Sequence, residues 1–389
     1  MVSVLFGPGE RPFTDSGYAR TYNLLSALDT TEVSPTAVVG NADVEVANTV
    51  IDSITADGHL KYRIEAWRRL YEYLRTGSFD VYQHVNMNHP HYNPLLLSGA
   101  VDDIPTILGP AEGGHTVPPD SYKLFLDHLV GFDVPKSVSD LLYTASKPLL
   151  GGMNRAREWL FSRTARRADI VVAVSTDVAR LYRQYAPGTR IEVIPYGVDL
   201  GQYEYTPRSE SHELLVVGDL LSRKGHEYLI KALPDIRETV ADTTLHIVGT
   251  GAMAADLKAL VDDLGVGSAV TFHGYVSEEK LVSLYKRAQA FVHPSLSEGY
   301  SHVRLEAMAT GCPVIGTPVP GFEDTVTDGR DGFVVPKRSS DAIADAVCEL
   351  FSTQGRATEM GRRARERIEE RHDWDHVAAQ YTELYEELA

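Results

Sequence analysis

A chain of 389 residues is longer than one ordinary hydrophobic core sustains, so two domains are expected. Its 43% hydrophobic content is that of a globular protein, and 54 acidic against 37 basic residues, a net charge of −17, exclude a general nucleic-acid binder. The two cysteines, Cys312 and Cys348, exclude a disulfide framework and a metal-ligand cluster, and fit a reducing, cytoplasmic setting. Lysine is scarce (10, against 27 arginines), which suits a high-salt source as well as ordinary cytosol.

The first ten residues, MVSVLFGPGE, carry no basic region and read as a first strand rather than a signal peptide. No stretch approaches the ~20 apolar residues of a membrane span. In the first half, short β-branched runs at Ser3–Gly7, Pro35–Gly40, Phe79–Val85, Pro105–Leu108, Asp169–Val174 and Ile191–Pro195 alternate with helical patterns at Gly17–Leu28, Lys61–Arg75 and Thr176–Tyr185. That alternation predicts parallel βαβ units. The Gly7-Pro8-Gly9-Glu10 turn leads to a helix capped by Asp15-Ser16-Gly17. A flexible turn there suits close approach of a phosphate or sugar, or serves as a turn alone. His84 closes a strand, and Asn86, Asn88, His89 and His91 follow it. Hydrogen-bonding side chains at a strand's carboxyl end suit a sugar acceptor, whereas the spacing of the histidines fits no metal-binding pattern. Gly109-Pro110-Ala111-Glu112-Gly113-Gly114-His115 follows the next strand, and its glycines let the backbone approach a ligand that Glu112 or His115 would contact. Between Lys147 and Arg190 nine basic residues face three acidic ones, with Leu149, Leu150, Trp159, Leu160 and Phe161 interleaved. This patch fits either a helix whose apolar side faces the core or a peripheral contact with an anionic membrane through residues 147–167.

The join falls near Pro195-Tyr196-Gly197-Val198-Asp199, where Pro and Gly break the pattern. The second half repeats the alternation, with strands at Leu214–Gly218, Thr244–Val248, Val270–Phe272, Ala290–His293, Pro313–Gly316 and Phe333–Val335. Helices are expected at His226–Leu233, Ala252–Leu264, Glu278–Arg287, Val303–Thr310 and Asp341–Phe351, then an Arg-rich helix and a last one over Trp374–Leu388. Arg223-Lys224-Gly225 stands between the first of these strands and its helix. Two cations beside helix N–H groups suit a diphosphate. Gly249-Thr250-Gly251 fits a plain turn equally well, and His273-Gly274-Tyr275-Val276 follows a strand. The fourth strand, Ala290–His293, runs through Pro294 and Ser295 into a loop carrying Glu298. Gly299, Tyr300 and Ser301 lead to a helix with Glu306 on its second turn. Loop and helix start therefore face the carboxyl edge of a parallel sheet, where open α/β sheets bind nucleotides. Backbone N–H groups from Tyr300 to His302 would face an anion. Arg304, on the same helix, reads as structural or as a carboxylate's partner, and the two cysteines as small core residues.

The segment Ser295–Gly321, SLSEGYSHVRLEAMATGCPVIGTPVPG, resembles the E-x7-E signature of retaining glycosyltransferases with the GT-B fold, family 4. The resemblance is carried further by Arg223-Lys224-Gly225, by the FxGxV-like element at Tyr275, by the IPNGVD-like join with Tyr196 in place of Asn, and by Gly321 in part of a GG-x-x-E turn. It implies two Rossmann-like domains facing across a cleft. Residues 1–197 would bind the acceptor, residues 198–372 the nucleotide-sugar, and residues 373–389 would form a helix crossing back to the first domain. It implies transfer of a sugar from a UDP- or GDP-sugar to a glycan, lipid-linked or small-molecule acceptor with no metal or other cofactor. Arg223 and Lys224 would hold the pyrophosphate, Glu306 the ribose, Glu298 the transferred sugar, and Tyr275, Gly299, Tyr300, Ser301 and Gly17 would make other donor contacts. Glu298, His84 and Glu112 are the candidate catalytic residues, with His115 and Asn86 toward the acceptor. The chain departs from the common EGFG pattern at Tyr300 and Ser301, and from the first domain's GPxGGG loop at Glu112. An epimerase-like enzyme on the same fold, or a nucleotide-sugar-binding module without catalysis, stays open at this point. The second is opposed by the intact set of Arg223, Lys224, Glu298 and Glu306.

Overall fold

The computed structural model describes residues 1–8, 20–28, 31–40, 46, 49–54, 59–85, 93–112, 152, 155–156, 158–208 and 211–389. The chain divides into two compact units. Met1–Ala173, Val178–Ile194 and Tyr381–Ala389 make the first; Val174–Asp177 and Pro195–Gln380 make the second.

The first unit is built on β1 (Val2–Phe6), β2 (Val33–Gly40), β3 (Val50–Ile54), β4 (Val81–His84), β5 (Thr106–Ala111), β6 (Ile170–Ala173) and β7 (Arg190–Val193), in the order β3-β2-β1-β4-β5-β6-β7. Every pairing is parallel. The central strands are buried along their whole length, as parallel strands covered on both faces must be. Leu5, Val38, Leu70, Tyr82 and Leu96 belong to one core cluster. A buried polar chain runs through this apolar setting: Gln83 Nε2 donates to the Gly109 carbonyl at 2.8 Å, and the Gln83 Oε1 accepts from the Tyr385 hydroxyl. The sequence reading missed β3, because Asp52 and Ser53 interrupt its apolar run. It is an edge strand whose first residue, Val50, is exposed, and edge strands need only one covered side.

The second unit holds β8 (Glu213–Val217), β9 (Thr244–Val248), β10 (Val270–Gly274), β11 (Ala290–His293), β12 (Val314–Gly316) and β13 (Gly332–Val334), in the order β10-β9-β8-β11-β12-β13 and again all parallel. The helix His226–Thr239 buries Leu229, Ile230, Leu233 and Ile236 in the same cluster that takes Ile343, Val347 and Leu350 of the helix Ser340–Phe351. This helix runs through Pro234, where the sequence reading ends it at Leu233. An interior proline costs about 3 kcal/mol, and the apolar face that continues to Ile236 outweighs it. Arg208, in the connecting segment before β8, is buried, and its guanidinium donates to the carbonyls of Tyr285 (2.7 Å), Ala288 (2.9 Å) and Thr310 (2.5 Å). It ties that segment to the ends of two helices.

Candidate functional site

In the second unit the strand order reverses between β8 and β11, which is where a doubly wound sheet leaves room for a ligand at its carboxyl edge. The two connections leaving that point carry the charged residues. After β8, Ser222–Lys224 forms a 3-10 turn ended by Gly225 in the left-handed region (φ 68°). A Cβ at Gly225 would lie 2.1 Å from the Pro294 carbonyl oxygen, so only glycine lets this turn close on the loop after β11. The two segments are also joined by the Leu296 N–H, which donates to the Arg223 carbonyl at 2.7 Å.

This contact brings the two cations onto Glu298. Lys224 Nζ lies 2.6 Å from Oε1, and Arg223 Nη1 donates to Oε2 at 3.0 Å. Arg223 also reaches the Ser297 carbonyl at 3.2 Å, and the Ser295 hydroxyl donates to Glu298 Oε1 at 2.7 Å. The Glu298 side chain is only 5% exposed. Burial by itself would raise its carboxyl; the neighbouring His293 and Lys224 outweigh that and hold it well below the usual carboxylate range. His293 was not singled out from the sequence, although its place as the last residue of a strand aimed at the site is the signal that could have found it.

Glu306 is placed otherwise. No cation pairs with it among the described residues; the Tyr285 hydroxyl donates to its Oε2 at 2.9 Å. Burial, with the nearby charge of Glu278, pushes this carboxyl up from 4.5 to about 7 against the opposing hydrogen bond from Tyr285. The loop therefore carries a carboxylate fixed in its charged form, and the helix that follows it carries one poised near neutrality.

Of the other predicted donor contacts, Gly299, Tyr300 and Ser301 adjoin Glu298 in the chain. Tyr275 follows β10 and stands 83% exposed at the carboxyl edge of the sheet. Gly299 is part of the Glu298 loop. The Tyr300 ring is buried, edge-on to Tyr196 (5.2 Å) and under the Arg304 guanidinium (5.3 Å), so only its backbone is open to a ligand. Arg304 is wholly buried, with Nη2 donating to Thr325 Oγ1 at 3.1 Å, and burial pushes its pKa down. Gly321 packs against Tyr300, a Cβ there lying 2.9 Å from its ring. The Ser301 hydroxyl lies 3.0 Å from His293 Nε2.

In the first unit His84 ends β4, buried, with Trp67 stacked on its ring at 5.8 Å. Asn93 fixes which nitrogen carries the proton. Its Oδ1 accepts from Leu95 N–H (3.0 Å) and Leu96 N–H (3.1 Å) at a helix start, which leaves Nδ2 to donate to His84 Nδ1 at 3.1 Å. His84 Nδ1 is thus an acceptor, and the neutral ring carries its proton on Nε2. Asn93 escaped the sequence reading because its role depends on two partners that the fold supplies. Glu112 directly follows β5 and is partly exposed; its charge helps raise the pKa of the Tyr182 hydroxyl, after the larger effect of burial. Gly17, Asn86 and His115 lie outside the described residues.

Residues 204–367 match the model of Glycosyl transferases group 1, and residues 20–202 that of Glycosyltransferase Family 4. A GDP-mannose-dependent alpha-(1-6)-phosphatidylinositol monomannoside mannosyltransferase of Mycobacterium tuberculosis (strain CDC 1551 / Oshkosh) is 35% identical over 235 residues, 56% of this chain. The match spans 61% of that relative's own length. Among solved structures, sucrose-phosphate synthase from Thermosynechococcus elongatus is similar with a TM-score of 0.72 at 20% identity, covering 99% of this chain and 98% of that one. Anabaena HepE, solved in complex with UDP and glucose, gives a TM-score of 0.69 at 16% identity over 100% of both chains. At these identities the likeness concerns the fold, which is of the GT-B type.

Proposed function

The chain belongs to the group 1 glycosyl transferases of family 4, and on that premise we propose that it moves a hexosyl unit from a UDP- or GDP-sugar to a glycan, lipid-linked or small-molecule acceptor, with retention of configuration and without a metal ion. The observation that carries this reading is the convergence of Arg223 and Lys224 on the Glu298 carboxylate, at the point where the sheet order reverses. A fork of guanidinium donors and a point ammonium charge suit a diphosphate. Held in place, they stabilise the charge that develops on the leaving diphosphate more than they stabilise the ground state. The bond from the anomeric carbon to the diphosphate oxygen breaks, the acceptor oxygen bonds to that carbon on the same face, and the acceptor's proton passes to the departing diphosphate oxygen. Glu298 then faces the transferred sugar. Glu306 takes the ribose hydroxyls, whose donors favour its ionised form. Tyr275, Gly299 and the backbone of Tyr300 and Ser301 line the donor site, while His84, with Nε2–H as donor, and Glu112 serve the sugar or the acceptor.

The relative's GDP-mannose and phosphatidylinositol monomannoside make a GDP-sugar and a lipid-borne acceptor the first candidates. No helix among the described residues is long and apolar enough to cross a membrane. A peripheral contact at residues 147–167, on the cytoplasmic side, would use Trp159, 60% exposed with Arg163 5.5 Å from its ring centre. The test is thermal stabilisation by UDP-, GDP- and ADP-sugars with and without magnesium. A ligand at a hundred times its Kd adds about 2.7 kcal/mol. A selective, magnesium-independent shift that Arg223→Ala abolishes is the expected result; no shift with any of the panel refutes the reading.

A further inference from the structure

Ser301 occupies the N-cap position of the helix His302–Ala309 with extended backbone (φ −121°, ψ 103°), the conformation in which a serine hydroxyl accepts an N–H of the first turn. It makes no such bond. Ser339, at the start of another helix with almost the same backbone (φ −115°, ψ 101°), does accept from the Ala342 N–H, and Ser277 accepts from the Lys280 N–H. Local conformation therefore does not explain why Ser301 fails to cap.

His293 explains it. Its side chain is 3% exposed, and its ring lies parallel to that of Phe322 (6.3 Å, 5°). Nδ1 is buried with no hydrogen-bond partner. A buried N–H without an acceptor is rarer and costlier than a bare lone pair, so the ring proton belongs on Nε2. Nε2 sits 3.0 Å from Ser301 Oγ, 3.4 Å from Ser295 Oγ and 3.6 Å from Glu298 Oε1. The Ser301 Oγ is the nearest of the three and well within hydrogen-bond range, so it is the main acceptor of the Nε2–H, while the Ser295 hydroxyl gives its own proton to Glu298. The cluster thus draws the Ser301 hydroxyl away from its own helix, whose first-turn N–H groups have no carbonyl partner within the helix.

We propose that His293 is a positioning residue for the donor: by holding the Ser301 hydroxyl off the helix end, it keeps the Val303 and Arg304 N–H groups, those a cap would take, open to the diphosphate. This rests on the reading that Arg223, Lys224 and that helix start bind the donor's diphosphate. Without the imidazole, the hydroxyl turns back, caps the helix and competes with the ligand for the same N–H groups.

The test is a double-mutant cycle on the full chain, with UDP and GDP titrated by calorimetry into wild type, His293→Phe, Ser301→Gly and His293→Phe/Ser301→Gly. A competing cap bond corresponds to about a fivefold weaker Kd for His293→Phe. Removing the hydroxyl as well has to restore affinity to near the wild-type value, although the double variant has lost two of the polar side chains near Glu298. A residue that merely supports the loop gives additive losses instead. Additive losses, or a His293→Phe protein that binds like wild type, overturn the proposal. Should His293→Phe fail to fold, the cycle is run with His293→Leu, and failure of the second substitution to restore folding and affinity counts against it. Arg223→Ala separates the two levels of the argument. If wild type binds neither nucleotide, or if Arg223→Ala binds as well as wild type, the donor-site reading itself falls. If Arg223→Ala abolishes binding while the cycle is additive, only the role of His293 falls.

Discussion

Replacing Glu306 by Gln should stabilise the second unit, and the gain should grow with pH. Burial raises this carboxyl from 4.5 to about 7, with Tyr285 its hydrogen-bond donor. Between those two values the folded protein keeps a proton that the unfolded chain has released. Folding stability therefore falls as pH rises through that window, is unaffected below it, and carries the full penalty above it. A shift of about 2.5 units sets a ceiling near 3 kcal/mol. Glu306 keeps a partly exposed edge, so screening brings the expected effect to about 1–2 kcal/mol. Gln has nearly the same volume, retains an oxygen to accept from Tyr285, and carries no charge at any pH. The variant's unfolding temperature should match that of wild type at pH 4.5 and exceed it by roughly 2–6 °C at pH 8. The assay is a series of thermal scans from pH 4.5 to 8.5 on both proteins. Parallel profiles, or a Gln variant less stable than wild type at pH 8, would refute the argument that Glu306 is destabilised by its own burial. If this carboxylate also holds the ribose, the more stable protein binds the donor more weakly, a trade of stability against function.

Other outcomes follow from the packing. Gly225→Ala places a methyl 2.1 Å from the Pro294 carbonyl oxygen at a positive φ; it should cost about 2–4 kcal/mol and weaken nucleotide binding, both readable from urea unfolding with and without nucleotide, and a neutral effect would show that the turn and the donor loop are not locked together. Arg208→Met removes the donor shared by the Tyr285, Ala288 and Thr310 carbonyls, with a loss on the order of 2–4 kcal/mol in the urea midpoint of the second unit; a loss below about 0.5 kcal/mol would mean water replaces it freely. Asn93→Asp substitutes an acceptor for the amide that faces His84 Nδ1, so the His84 pKa measured by proton NMR should rise; an unchanged value would contradict the assigned proton position.

Much of the second unit was legible in the sequence because its central strands, β8, β11 and β12, are nearly continuous buried apolar runs, and because its chemistry lies on short stretches that join a strand to a helix. Arg223, Lys224 and Glu298 could be grouped before any coordinates, since each follows a strand and parallel strands share one carboxyl edge. What they do to one another was not legible. The pairing of both cations with Glu298 depends on the close contact of Gly225 with Pro294, residues separated by 69 positions in the chain. The opposite states of Glu298 and Glu306 arise from burial and neighbours, which the spacing of two glutamates does not encode. The helix through Pro234 and the edge strand at Val50–Ile54 show the same limit, because tertiary burial overrode the local signal at the first and edge position relaxed it at the second. In the first unit, His84 was visible as a strand end, but its proton position needed Asn93, whose own amide is oriented by a helix start nine residues on.

The bond from Tyr385 to Gln83 has a bearing on the order in which the protein is made. The two residues are 302 positions apart, and at about 5–20 residues per second a ribosome needs about 15–60 s to travel between them. During that interval β4 is already outside the exit tunnel, and Gln83 can grip the Gly109 carbonyl but lacks its second partner. The second unit, whose strands lie between, is translated complete in the meantime. The first unit to emerge is therefore the last to be finished, and a released chain truncated before Tyr385 should show a protected second sheet beside a first one still open to proteolysis.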